Sequence, residues 1–118
     1  MAAHNDLGKK GEALAIDWFR QHGYEILHSN WRHSHYEVDI IASKDSVLHF
    51  IEVKARRSTQ FGYPEESVGK KKMQNLMNAA DEFLNQFPKW KRIQFDVLSI
   101  SLKKNGKHEF FLIGDVYL

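Results

Sequence analysis

Hydrophobic and polar residues follow two periods along this chain, and the changes between them mark its elements. From residue 6 to 22, Leu7, Gly11, Leu14, Ala15 and Trp18 recur at helical spacing, with Phe19 on one shoulder. This predicts an amphipathic helix with Asn5 as N-cap and Gly23 as its left-handed stop. Residues 24–32 read as a strand and 33–36 as a loop. Two apolar runs follow, Val38-Asp39-Ile40-Ile41-Ala42 and Val47-Leu48-His49-Phe50-Ile51-Glu52-Val53-Lys54. Each is short and bounded by polar residues, so each reads as a strand. After a loop over 58–63, a second helix starts at Pro64 or Ser67 and ends at Gln86 or Phe87. Its stripe is Met73, Leu76, Met77, Ala80, Leu84 and Phe87. Residues 93–102 and 109–118 are two further strands around an Asn105-Gly106 turn. The order αβββαββ predicts an α/β fold, a central mixed five-stranded sheet flanked by two helices.

Asp39, Glu52 and Lys54 stand inside the most apolar of these strands. Charges there are costly unless something pairs with them, which makes them the first candidates for chemistry. Taking 43–46 as a four-residue hairpin connection pairs Ala42 with Val47. It also sets Asp39 opposite Phe50 and Glu37 opposite Glu52. Asp39, Glu52 and Lys54 then share one sheet face. The two carboxylates are diagonal neighbours with Cα atoms about 7–8 Å apart, near enough to hold one cation. A loop one residue longer or shorter would send Asp39 to the opposite face. On the first helix Glu12 lies at the edge of the apolar stripe. Gly8 and Gly11, which cost helix stability, predict a close approach of backbone or ligand.

Composition bounds the class. At 118 residues, 42% hydrophobic and 27% charged, the chain is sized for a single domain, residues 1–118. No apolar run approaches membrane-spanning length, and the N-terminus lacks a signal-peptide pattern. Zero cysteines exclude disulfides and thiolate metal sites and fit a cytoplasmic location. A net charge of +2 says little, but basic residues cluster at 54–57, 70–72, 89–92 and 103–107. Together these can track a phosphate backbone, although any one alone reads as a solvated turn or helix end. Lysines at the start of the second helix oppose its dipole, and a nearby phosphate would offset that. Lys72 is therefore a candidate phosphate contact, with Lys70 and Gln74 behind it. A start at Pro64, with Glu65 and Glu66 in the first turn, removes most of that anomaly. His33 and His35 lack a third ligand in sequence and read as loop histidines, not a zinc site. Trp31, Phe61 and Trp90 read as core caps before base-stacking platforms. Asp96, in an apolar strand, reads as structural, paired with a nearby basic side chain.

Several motifs then stand in order: Gly8-x-x-Gly11-Glu12-x-x-Ala15, Gly23-Tyr24, Glu37-Val38-Asp39-Ile40-Ile41-Ala42 and Phe50-Ile51-Glu52-Val53-Lys54-x-Arg56. Phe61-Gly62, Lys72 ahead of Ala79-Ala80, and Phe95-Asp96-Val97 complete the set. Asp39 followed by Glu52-Val53-Lys54 resembles the PD-(D/E)xK signature of restriction endonuclease-like nucleases. The whole set resembles the small bacterial YraN-like family, similar to archaeal Holliday-junction resolvases. Two departures are Val38 at the motif's nominal proline and Tyr36 at the family's usual glycine. Neither removes a ligand, but the second changes the loop leading into the site.

The resemblance implies a restriction endonuclease-like fold and Mg²⁺-dependent cleavage of DNA, with Mn²⁺ as a substitute, at branched or junction DNA in recombination or repair. Asp39 and Glu52 would supply carboxylates to the metal, joined by the backbone carbonyl of Val53. Lys54 would orient the attacking water and stabilise the transition state. Glu12 would be a third acidic group at the metal. Arg56 and Arg57, with Lys72, Lys70 and Gln74, would contact nucleic acid. Related resolvases cut two strands symmetrically, so a homodimer is expected by analogy alone. Three other readings compete: a buried ion cluster fixing sheet register, a non-catalytic nucleic-acid-binding or docking module on a nuclease fold, and an interaction protein with no nucleic-acid role.

Overall fold

The computed structural model describes residues 2–57 and 70–115, and of residues 2–6 and Lys70 the backbone alone. Its elements are α1 (Ala2–Gln21), β1 (Glu25–His33), β2 (Tyr36–Lys44), β3 (Val47–Arg57), α2 (Lys70–Gln86), β4 (Ile93–Leu102) and β5 (Glu109–Ile113). The strands lie side by side in chain order, antiparallel except for the parallel pair β3–β4. A parallel neighbour requires a crossover, and α2 lies in that connection. The α/β class, the mixed five-stranded sheet and the element order are those predicted.

The two helices cover opposite faces. On one, Ala15 and Phe19 of α1 pack with Ile40, Ala42, Ile51, Leu98, Ile100 and Leu102. On the other, α2 buries Met73, Leu76, Ala79, Ala80 and Phe83 against Val38, Ile41, Leu48 and Phe50. Both predicted stripes are rotated. Phe19 is central and fully buried, not on a shoulder. Met77 and Phe87 are exposed, while Ala79 and Phe83 carry the α2 interface. Phe83 anchors it, its ring 5.5 Å from Trp31 and 5.8 Å from Phe50. Trp31 is thus a core residue.

Helix α1 begins at Ala2, so Asn5 lies within it instead of capping it. Ala2 and Ala3 are strong helix formers and extend the helix upstream. Gly23, at φ 88°, ends it as expected. The β1–β2 turn is tighter than expected, leaving Ser34-His35 between the strands and His33 inside β1. Strand β5 stops at Ile113 because the Asp115 N–H turns away to Asp96 Oδ1 at 2.9 Å. The expected loop over 58–63, Phe61-Gly62, the helix starts at Pro64 and Ser67, and positions 116–118 of the last strand lie outside the described residues. Among the described residues no helix is long and apolar enough to cross a membrane.

The β2–β3 hairpin decides where the charged residues fall. Lys44 pairs with Val47, so the turn is the two residues Asp45-Ser46, both left-handed at φ 52° and 68°. That signature belongs to the tight hairpin turns whose twist matches paired strands. Ala42 consequently pairs with His49 and Ile41 with Phe50. The expected pairings of Asp39 with Phe50 and Glu37 with Glu52 do not occur. The slip is two residues, an even number, so faces on β3 are unchanged.

Candidate active site

Strict alternation breaks down in β2 around Asp39. Val38 and Ile41 both bury on the α2 side, whereas Ile40 and Ala42 bury on the α1 side. Asp39 occupies the irregular step. Opposite it on β1, Asn30 lies at φ 52° between the paired positions Ser29–Ile40 and Trp31–Val38. Irregularities of this kind re-aim side chains and end pairing. Here the β2–β3 ladder closes at Ile40–Ile51, and beyond it the Val53 N–H donates to Asp39 Oδ2 at 2.8 Å. A side chain has taken the place of a strand carbonyl.

Four elements converge on the opening this leaves. A cavity of about 270 Å³ is lined by Leu7, Gly8 and Glu12 of α1, Asp39 of β2, Glu52 to Ala55 of β3, and Lys72 of α2. Helix α1 reaches it because Gly11 has no side chain. A Cβ there would stand 2.5 Å from Ala55 Cβ, closer than such atoms come. Gly8 is different, since a Cβ there would meet nothing within 4 Å. The close approach expected at both glycines is a packing requirement at Gly11 and open space at Gly8.

The electrostatics are strained in one direction. Burial, then the charge of Glu52, pushes the Asp39 carboxyl up to about 7, with the Val53 N–H working against the shift. Glu52 Oε2 sits 2.8 Å from Lys72 Nζ and 3.8 Å from Lys54 Nζ. Burial, then the adjacent Lys72, lowers the Lys54 amine below the usual lysine range. Burial also acts to lower Lys72, but its bond to Glu52 leaves it raised overall. Glu12 is raised by burial, against the Asn30 side-chain amide that donates to Glu12 Oε1. Among the described residues no three His, Asp or Glu side chains form a ready cation cage. Mg²⁺ does not need one, because it commonly takes one or two carboxylates and keeps its waters. Two crowded carboxylates, one of them resisting ionisation, fit a hard divalent cation.

Other expected residues lie elsewhere. Arg56 and Arg57 continue β3 beside Ser101 and Leu102 and do not line the cavity. Gln74 is exposed and donates to Asn78 Oδ1 at 3.2 Å, outside the cavity. Lys70 begins α2, its side chain outside the described residues. His33 Nε2 lies 3.5 Å from Glu82 Oε1, a surface contact. Asp96 is fully buried and bonded to His49 Nδ1 at 2.6 Å and to the Gln94 side-chain amide at 2.8 Å. Histidine is the basic partner its strand position demanded. Trp90, half-buried against the α2-side core, also lines a larger cavity of about 660 Å³ with Lys89, Lys91, Arg92 and the Asp45-Ser46 turn. Asn30 was missed by sequence reasoning. Its one signal is an asparagine inside a strand, a residue type that tolerates left-handed backbone.

Fold and site together define an α/β protein with an acidic-and-lysine pocket where an internal hairpin meets both helices. Residues 11–100 match the family described as "Uncharacterised protein family UPF0102". The chain is 42% identical to a UPF0102 protein of Bacteroides thetaiotaomicron over 117 residues, 99% of this chain and 96% of that one. A UPF0102 protein of Bacteroides fragilis is 40% identical over the same shares. One from Dictyoglomus thermophilum is 42% identical over 105 residues, 88% of this chain and 89% of that one. The chain belongs to the UPF0102 family.

Proposed function

We propose that this protein is a divalent-metal-dependent nuclease of the PD-(D/E)xK kind, hydrolysing phosphodiester bonds of DNA. The observation that carries the reading is the cavity in which Asp39, Glu52 and Lys54 meet Glu12 and Lys72 from the two helices. Asp39 and Glu52 would hold Mg²⁺ or Mn²⁺, with the Val53 carbonyl beside them. Bound there, the cation supplies Lewis-acid activation and offsets charge on the phosphoryl oxygens.

The chain's own groups do the rest. Water attacks phosphorus, the bond to the leaving oxygen breaks, and that oxygen takes up a proton. Lys54 stands 3.8 Å from Glu52 on the same strand face, placed to orient the water and to bond the developing negative charge. Glu12, fixed by Asn30, adds an acidic group at the rim for a water or second ion. Lys72 is the phosphate contact, and Arg56 and Arg57 extend the basic run along β3. Branched or junction DNA and a homodimeric assembly follow from the likeness to junction resolvases.

One observation favours a second reading. Lys72 already pairs with Glu52 at 2.8 Å, which suits a non-catalytic nucleic-acid docking module whose acidic group is neutralised without a metal. Mn²⁺-dependent cleavage of labelled linear, flap and four-way-junction DNA separates the two, with Glu52→Ala as control. Cutting that Glu52→Ala abolishes is the expected result. Binding without cutting, unchanged in Glu52→Ala, would establish the docking module instead.

A further inference from the structure

The cavity's charges do not divide evenly. Glu12, Asp39 and Glu52 face Lys54 and Lys72, yet both ammonium groups lean on the same oxygen, Glu52 Oε2, at 3.8 and 2.8 Å. Among the described residues no lysine or arginine nitrogen lies within 4.0 Å of Asp39. The two lysines are not equivalent. Lys54 is held in a central strand with its side chain 26% exposed, whereas Lys72 reaches in from a helix with its side chain 46% exposed. Lysine carries its charge on a flexible four-carbon stem, so Lys72 is the one free to swing outward.

Resting on the nuclease reading, we infer that Lys72 is the pocket's exchangeable counter-ion. It holds Glu52 in the metal-free protein and passes to a substrate phosphate oxygen once Glu52 is committed to a divalent cation. The charge count supports the exchange. With two positive charges added beside Asp39 and Glu52, five-atom reach and an exposed position make Lys72 the surplus cation at the mouth. A bridging phosphate is the anion that restores balance. Metal and nucleic acid are thereby coupled through one side chain, each raising affinity for the other.

The test compares wild type with Lys72→Met and Lys72→Ala, both good helix formers. Mg²⁺ affinity is measured by calorimetry without DNA. Binding of a labelled DNA duplex is measured by anisotropy with and without Ca²⁺. Removing the competing ammonium should tighten Mg²⁺ binding roughly three- to tenfold. The same variants should lose the Ca²⁺-dependent gain in DNA affinity and flatten its salt dependence by about one phosphate contact. Variants that bind Mg²⁺ no more tightly than wild type overturn the exchange, even if wild type still cleaves DNA. Wild type with no Asp39-dependent Mg²⁺ binding overturns the nuclease reading as well, so the two failures are distinguishable.

Discussion

Asp39 carries the largest electrostatic burden of any described residue in the pocket, and pH shows it. Its carboxyl ordinarily loses its proton near 3.8 and here is pushed up to about 7 by burial and by Glu52. An acid whose folded-state pKa is raised binds its proton more tightly folded than unfolded. Stability is then fullest at low pH in this window and falls as pH rises from about 4 to about 7. The metal-free protein should lose on the order of 1–3 kcal/mol across that range, allowing for screening at the open mouth. Asp39→Asn should flatten the fall, and saturating Mg²⁺ at pH 8 should restore stability to wild type but not to the variant. Urea denaturation at pH 5 and pH 8 checks this; identical slopes for the two proteins would refute it. The importance of Asp39 was legible from its charge inside an apolar strand. The burden was not, because it depends on the irregular step at 38–40 and on Asn30, which no period along the chain encodes.

At the scale of elements, the hairpin shows how Asp39, Glu52 and Lys54 can line one cavity despite a wrong register. A four-residue connection was expected, and Asp45-Ser46 makes a two-residue turn. Faces on β3 survived because the resulting slip was even. The helix stripes failed differently. Spacing alone did not single out Phe19 or Phe83, and contacts across the sheet decided. Helix α1 offers the sharpest test, since its two glycines differ in surroundings. Gly11→Ala should cost about 1–3 kcal/mol by driving a methyl into Ala55 on a strand that cannot yield. Gly8→Ala should stabilise the helix by about 0.5–1 kcal/mol. It also places a methyl at the rim of the Asp39–Glu52 cavity, so nucleic-acid affinity should fall while stability rises. Thermal melts paired with DNA anisotropy read both. A Gly8→Ala protein with higher stability and unchanged affinity would mean that substrate does not pass this part of α1.

Across the whole molecule, β3 carries two polar centres with different tasks. Glu52 opens into the candidate site, whereas His49, three residues back along the strand, closes on Asp96 within the fold. Asp96 is satisfied by three donors, from His49, Gln94 and the Asp115 main chain. These tie β3 and β4 to the segment after β5. The Asp96 side chain is fully buried. This centre therefore has the character of a structural lock, and its loss should be felt in stability before chemistry. His49→Phe leaves an Asp96 oxygen buried without its partner, an error worth about 3–5 kcal/mol. His49→Phe with Asp96→Asn should cost less than the sum of the single changes, by an interaction energy of about 0.5–3 kcal/mol. Under conditions where each variant remains folded, Mg²⁺ affinity and DNA binding should match wild type, since neither residue lines the cavity. Calorimetry and anisotropy at low temperature separate the two properties. A folded His49→Phe protein that had lost Mg²⁺ binding would show instead that the lock and the pocket are one unit, joined through β3.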